Sequence, residues 1–432
     1  LSRRRKRSRA GTKLTDRLQE GIYFRPKEQA ARCYRLLLLN ATEEATSERL
    51  AQALAESTRM LAGLRQGHVR ERAGQSDEEA TLASEMFGSL RVLIGFGRRM
   101  FDEQAHERPL VRSARPDHLV YLQDPEAPFP ALPWADEERD SNVGEADIAL
   151  QLTADSVAAV NCAAVEVWKL VVDEELPLEP RATFTGFQRR DGRGWLEFHD
   201  GVSNMEASQR LQALEAGEDP AWMRGGTYMA FLRFRVDLAA WMSLSQTQQE
   251  LLVGRDKLSG SPLVRVRHDG AEAVGVPAWG VGEQPSASER ADFLDPRQTA
   301  DPLLEASHLH RANQNRASPS APAGLRLFRQ GYDFLESIGP DGPLLGLNFV
   351  SFQRDLCVLQ HVLHLPGWLG DVNFGGPLEP KDGEPPALKF VSLLAGGFYA
   401  VPPVEEPFPG AKLFNLSNRC APTGPNRKDR ER

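Results

Sequence analysis

The sequence predicts an α+β protein made of two ferredoxin-like halves, with antiparallel sheets flanked by helices. Two observations carry this prediction. Short strand-like apolar runs are followed by segments of helical periodicity several times over, which is how split β-α-β units read. The repeats also divide near residue 222, giving an N-terminal half over 14–222 and a C-terminal half over 223–432. With 432 residues the chain is long enough for more than one core, since domains usually run to ~100–200 residues. Its 41% hydrophobic and 26% charged residues are ordinary for a globular protein and argue against general disorder.

Taken in order, the chain starts LSRRRKRSRAG, six of whose residues are Lys or Arg, and 1–13 reads as a solvated basic tail. An export signal would continue into an apolar stretch; TKLTDRLQEG follows instead, so the expected location is the cytoplasm. CYRLLLL at 33–39 reads as a first strand. Thr42 then opens a helix with Glu43 and Glu44 in its first turn, where acids suit the helix dipole, and Leu50, Leu54, Leu61 and Leu64 give it a buried face. SLRVLIGFG at 89–97 reads as the next strand. The pattern recurs with a strand at 146–155 (ADIALQLTAD) and a well-buried helix at 156–172 (SVAAVNCAAVEVWKLVV). In GTYMAFLRFRVD at 226–237, Leu232, Phe234 and Val236 alternate with Arg233 and Arg235. Asp237 caps a following helix, and Ser245 with Gln248 forms a capping box before QELLVG. A strand at 346–353 (GLNFVSFQ), a helix at 354–365 and a last strand at 396–403 (GGFYAVPP) complete the second half.

Two long stretches, 102–145 and 257–325, read as irregular; loops of that length are disordered or functional. A net charge of -8 and a pI near 5.7 supply no field that would draw the chain to nucleic acid or an anionic membrane. No window holds the ~18 consecutive apolar residues of a membrane helix. The four cysteines, Cys33, Cys162, Cys357 and Cys420, have neither zinc-ribbon nor CxxCH spacing, which fits free thiols in a reducing compartment and excludes covalent c-type haem attachment.

Three short stretches stand out: GWLEFHDGVSNM at 194–205, SHLHRAN at 307–313 and RLFRQGYDF at 326–334. In this order they resemble the signatures of the dye-decolourising (DyP-type) haem peroxidases. That family's GXXDG appears as EFHDG at 197–201, its histidine segment as HLHRAN at 308–313, and its arginine segment as RLFRQGY at 326–332. The resemblance extends to GSLRVLIGFGRRMF at 88–101, GGTYMAFLRFRVDLAAW at 225–241, GRDKLSG at 254–260, GLNFVSFQRD at 346–355 and GGFYAVPP at 396–403.

The resemblance implies a haem b, held non-covalently in the C-terminal half. It also implies reduction of hydrogen peroxide and oxidation of bulky aromatic or phenolic reductants through a ferryl haem. His308 matches the iron ligand, a neutral imidazole being usual in peroxidases; His310, nearest among nine histidines, stands where the family carries an Arg. Asp200 matches the carboxylate that moves a proton between the peroxide oxygens. Arg329 matches the distal guanidinium that stabilises negative charge as the O–O bond breaks. Leu347 and Phe349 match apolar residues lining the same face, and Arg311 a partner for a haem propionate.

A proximal histidine usually donates its second N–H to a carboxylate, for which Asp355 is the candidate. Glu197 departs from the signature glycine: either the turn differs or a further carboxylate lies at the pocket edge. Trp195 and Tyr332 are candidate relays to bulky substrates, and His361 and His364, three apart on a helix, could share a metal. A haem-binding protein for storage, sensing or iron release is the alternative function, and association into a homo-oligomer stays open.

Overall fold

The structure, a computed structural model, describes residues 17–23, 25, 28–70, 74, 76–103, 105–106, 110–111, 113–122, 141–199, 205, 207–217, 220–269, 271–280, 301–312, 327–339, 342–363, 365, 374–377, 379–384 and 390–414. In the first half, strand β1 (Cys33–Ala41) leads into helices α1 (Ser47–Arg65) and α2 (Asp77–Phe87). Strands β2 (Arg91–Gly97) and β3 (Ile148–Ala154) follow, then helix α3 (Val157–Asp173) and strand β4 (Leu178–Phe187). After a short α4 (Ala207–Leu214), strand β5 (Thr227–Val236) opens a second round with α5 (Leu238–Met242) and α6 (Gln246–Val253). A separate hairpin, β6 (Leu263–His268) and β7 (Ala271–Pro277), and two one-turn helices, α7 (Pro302–Glu305) and α8 (His308–Arg311), precede β8 (Phe328–Gly339) and β9 (Gly342–Gln353). Helix α9 (Leu356–Leu363) and strand β10 (Val391–Val401) close it.

The sheet order is β1-β3-β2-β10-β5-β9-β8-β4, a closed antiparallel barrel. Within it each round keeps one arrangement: β4-β1-β3-β2 in the first, β10-β5-β9-β8 in the second, so the fourth strand lies beside the first, and the third between first and second. This is the duplicated ferredoxin-like α+β plan that the strand and helix pairs predict. The seams between rounds are narrow. Strand β4 meets β8 only at Phe187 opposite Asp333, and β10 meets β2 at Tyr399–Gly97 and Ala400–Phe96.

Closure explains why β1, β3 and β5 read as nearly continuous apolar runs: both of their faces are largely buried. On β1, Tyr34, Leu36 and Leu38 point into a core inside the barrel with Met229, Phe231, Tyr332, Val350 and Tyr399. Cys33 and Leu39 belong to the outer core, where the wall meets the leucines of α1, Val160, Val167 and Val171 of α3, and Leu356, Leu359 and Leu363 of α9. The interior also holds polar groups. Arg233, 2% exposed, donates from Nη1 to Asn348 Oδ1 at 2.6 Å and lies over the Phe334 ring.

Local signals explain several boundaries. Asp237 caps α5, and Ser245 with Gln248 forms the capping box of α6. Helix α1, however, starts after Thr46, whose hydroxyl accepts from Arg49 N; Thr42 instead opens a turn closed by Ala45 N to Thr42 O at 2.9 Å, which holds Glu43 and Glu44. Strands β6 and β7 pair antiparallel inside a stretch read as irregular.

Candidate functional site

His308 is the first residue of α8, where Ser307 caps the turn by accepting from His310 N. A second segment passes over the imidazole: Phe374 stacks on it at 4.0 Å between centroids and 14° between planes, and the Phe374 carbonyl accepts from Nδ1 at 2.9 Å. Burial lowers the His308 pKa to about 4; the hydrogen bond to Phe374 opposes this, and the positive charges of Arg329 and Arg255 add to it. Above that pH the ring is neutral, and with the proton on Nδ1 its lone pair lies on Nε2, as a metal-binding imidazole requires.

Two glycines make room for this turn. Gly254, with a φ of +83°, ends α6, and a Cβ there would stand 2.5 Å from Ser307 Oγ. A Cβ on Gly375 would stand 2.6 Å from His308 N. Arg255, 6% exposed, donates to the Gly260 carbonyl at 2.8 Å and so fixes the GRDKLSG loop beside the imidazole.

Arg329 on β8 lies opposite Ser351 on β9, with Gly331 opposite Phe349 and Asp333 opposite Leu347. Paired residues share a face of the sheet, so Arg329, Leu347 and Phe349 look to one side. Phe349 meets Phe234 edge to face at 6.2 Å, and Leu347 and Phe349 are half-buried. Arg311 donates from Nε to Ala306 O at 2.9 Å and from Nη2 to Gly376 O at 3.0 Å. It thereby ties α8 to the 374–376 segment.

Asp200 lies outside the described residues, but the loop leading to it does not. Phe198 packs with Trp241, Leu252 and Phe390, a cluster that Phe374 joins. Arg193 donates to the carbonyls of Glu197 at 2.5 Å, Lys257 at 2.7 Å and Leu258 at 3.2 Å, binding the EFHDG loop to GRDKLSG. Glu197 takes a φ of +64°, the left-handed conformation that glycine adopts most readily, while its exposed carboxylate pairs with Arg189 at 2.6 Å. The turn is thus kept, and the carboxylate is directed to Arg189.

Asp355 is not the partner of His308. Its Oδ1 meets His118 Nδ1 at 2.9 Å, and a backbone carbonyl, which no residue type announces, accepts the hydrogen bond from His308 Nδ1. His310 Nε2 is buried and makes no hydrogen bond among the described residues; the charges acting on this ring are those of Glu305 and Arg311. Tyr332 is fully buried in the barrel, stacked on Tyr34 at 4.5 Å, whereas Trp195 is half-buried and donates to Phe334 O. His361 is exposed, and His364 lies outside the described residues. Sequence reasoning missed Phe374, Gly375 and Arg255, although GRDKLSG signalled the last.

A neutral, oriented imidazole, a guanidinium within its electrostatic reach and half-buried apolar side chains beside that guanidinium are a donor set and wall that fit a haem. Among the described residues, no helix is long and apolar enough to cross a membrane.

A family model described as Dyp-type peroxidase, C-terminal, matches residues 191–406, half of the chain. Proteins named Deferrochelatase from Shigella flexneri serotype 5b and Escherichia coli K12 are each 25% identical over 284 residues, 62% of this chain and 58% of theirs. That match therefore spans less than two thirds of those relatives. The crystal structure of a DyP-type peroxidase from Cellulomonas bogoriensis is similar at a TM-score of 0.61 and 20% identity, covering 90% of this chain and 94% of that one. Ferric DtpA from Streptomyces lividans is similar at 0.61 and 20%, covering 94% and 100%. The encapsulated DyP-type peroxidase from Mycobacterium smegmatis is similar at 0.55 and 19%, covering 91% and 98%.

Proposed function

Because the chain belongs to the Dyp-type peroxidase family, we propose that it is a haem peroxidase that reduces hydrogen peroxide and oxidises bulky aromatic or phenolic compounds, with haem b held non-covalently by His308. The observation that carries this reading is the His308 imidazole, neutral, oriented by the Phe374 carbonyl and within the field of Arg329. The haem, when bound, supplies the redox centre at which peroxide is reduced. Every other role falls to side chains of this chain.

His308 binds through Nε2, while Nδ1 keeps its proton and donates to the Phe374 carbonyl, which fixes the ring. The Arg329 guanidinium stabilises the negative charge growing on peroxide oxygen as the O–O bond lengthens. Asp200 takes a proton from one peroxide oxygen and returns it to the other, base first and acid second. Leu347 and Phe349 keep water from the reacting face.

Purified protein should show a Soret band that His308→Ala loses and His310→Ala keeps. In stopped-flow mixing with peroxide, Asp200→Ala should slow the first step by about 10²–10⁴-fold and Arg329→Leu by about 10²–10³-fold. Unchanged rates in the double variant would refute both roles. The Deferrochelatase name of the 25%-identical relatives favours a second reading, removal of iron from haem. Free iron and intact porphyrin after incubation with haem, without peroxide turnover, would select it.

A further inference from the structure

We propose that His118, Asp355 and Cys357 form a mononuclear binding site for a divalent transition-metal ion, zinc by preference, with solvent in the fourth position. One nitrogen, one oxygen and one sulfur donor lie within 4.8 Å of one another. His118 Nδ1 and Asp355 Oδ1 are already 2.9 Å apart. Zinc bonds of ~2.0–2.3 Å in a tetrahedron place ligand atoms roughly 3–4 Å apart, so rotations of about 1 Å complete the set. The side chains of His118 and Asp355 are 44% and 40% exposed, which gives an ion entry and leaves a coordination position to water.

Capping is part of Asp355's work: its Oδ1 accepts from Cys357 N at 2.9 Å at the start of α9. A cap needs neither a thiol nor an imidazole. The His118 ring arrives from the 113–122 segment in the first half of the chain, held by Leu119, Val120 and Leu122 in the core it shares with Leu356 and Leu359. Hard cations such as magnesium and calcium select oxygen, whereas a mixed imidazole, carboxylate and thiolate set suits zinc. On binding, the Cys357 S–H bond is replaced by a sulfur–metal bond and the proton leaves to buffer; no electron moves. The ion would pin the 113–122 segment to α9. The site shares no residue with the His308 site, so zinc here is independent of haem.

The test uses the full-length, haem-loaded protein with zinc chloride. Equilibrium dialysis should find one zinc per chain, and zinc-edge X-ray absorption a sulfur neighbour at about 2.3 Å beside nitrogen or oxygen at about 2.0–2.2 Å. His118→Ala and Cys357→Ala should each weaken binding at least tenfold while keeping the Soret band. Zinc should raise the thermal midpoint of the parent protein and not that of Cys357→Ala. Retained zinc without a sulfur neighbour, affinity unchanged in both variants, or no zinc bound by the folded parent would each overturn the assignment.

Discussion

A proton on His308 competes with any metal for the same imidazole, so its basicity sets the pH range of the site. The folded-state pKa of about 4 lies below the ordinary 6.5, because burial disfavours the charged ring. Between these values the unfolded chain binds more protons than the folded one, so stability rises with pH across that window and is lost as pH falls through it. For haem-free protein the loss between pH 7 and pH 5 should be about 2 kcal/mol. Urea denaturation at both pH values, on the parent and on His308→Phe, measures it as the excess loss in the parent; equal losses would show that His308 is not depressed. Glu197 yields a second outcome. Its left-handed backbone costs roughly 1 kcal/mol for a residue with a Cβ, and its exposed, solvent-screened pair with Arg189 offsets little of that. Glu197→Gly should therefore leave stability within about 1 kcal/mol of the parent and peroxide turnover unchanged; a tenfold fall in turnover would mean that the carboxylate serves the pocket. At this scale the sequence offered His308 and Arg329 as candidates, because their side-chain types sit in ordered motifs. It could not identify the Phe374 carbonyl, since every residue carries one.

The His308 turn is a four-residue helix, too short to hold its shape through its own hydrogen bonds. Its geometry is borrowed from neighbours: the Ser307 cap, the Arg311 donations to Ala306 and Gly376, and the close backbones of Gly254 and Gly375. Gly254→Ala would force a Cβ into a φ of +83° at 2.5 Å from Ser307 Oγ. The expected result is a loss of about 1–3 kcal/mol and roughly tenfold weaker haem retention, since the iron ligand proposed here, His308, would shift with its cap. Chemical denaturation and haem transfer to an acceptor protein measure the two effects; an unperturbed variant would show that the turn can relax. Strands β1, β3 and β5 were legible as largely buried apolar runs, and α3 by the helical spacing of its buried face, Val160, Ala163, Val167, Leu170 and Val171. Strand β4 was not, because its pattern is mostly exposed and includes Pro180. The β6–β7 hairpin went unread because it sits inside a long Gly-, Pro- and Ser-rich stretch and its β7 side chains, though mostly apolar, are half or fully exposed.

The duplication was legible and the closure was not. Helical and strand periods reveal two rounds of the same topology, whereas the join between them rests on three Cα pairs and on side chains inside the barrel. Asn348 on β9 is the clearest of these. It accepts from Arg233 Nη1 at 2.6 Å and donates from Nδ2 to the Thr185 carbonyl on β4 at 2.8 Å, crossing the seam that β4 and β8 barely pair. Gly186 has no side chain because a Cβ would lie 2.7 Å from Asn348 Nδ2 and Tyr332 Cβ. Interior residues of both rounds share one core, so neither round can open without exposing Tyr34, Phe231 and Val350 to water. We therefore propose that 14–222 and 223–432 are topological halves that fold together. Asn348→Ala removes an acceptor from a buried guanidinium and the bridge to β4, and should cost about 2–4 kcal/mol. If the halves are one cooperative unit, tryptophan fluorescence and the Soret band will still report a single coincident urea transition, moved to lower concentration. Separation of the two probes would show that the seam, and not the shared interior, holds the rounds together.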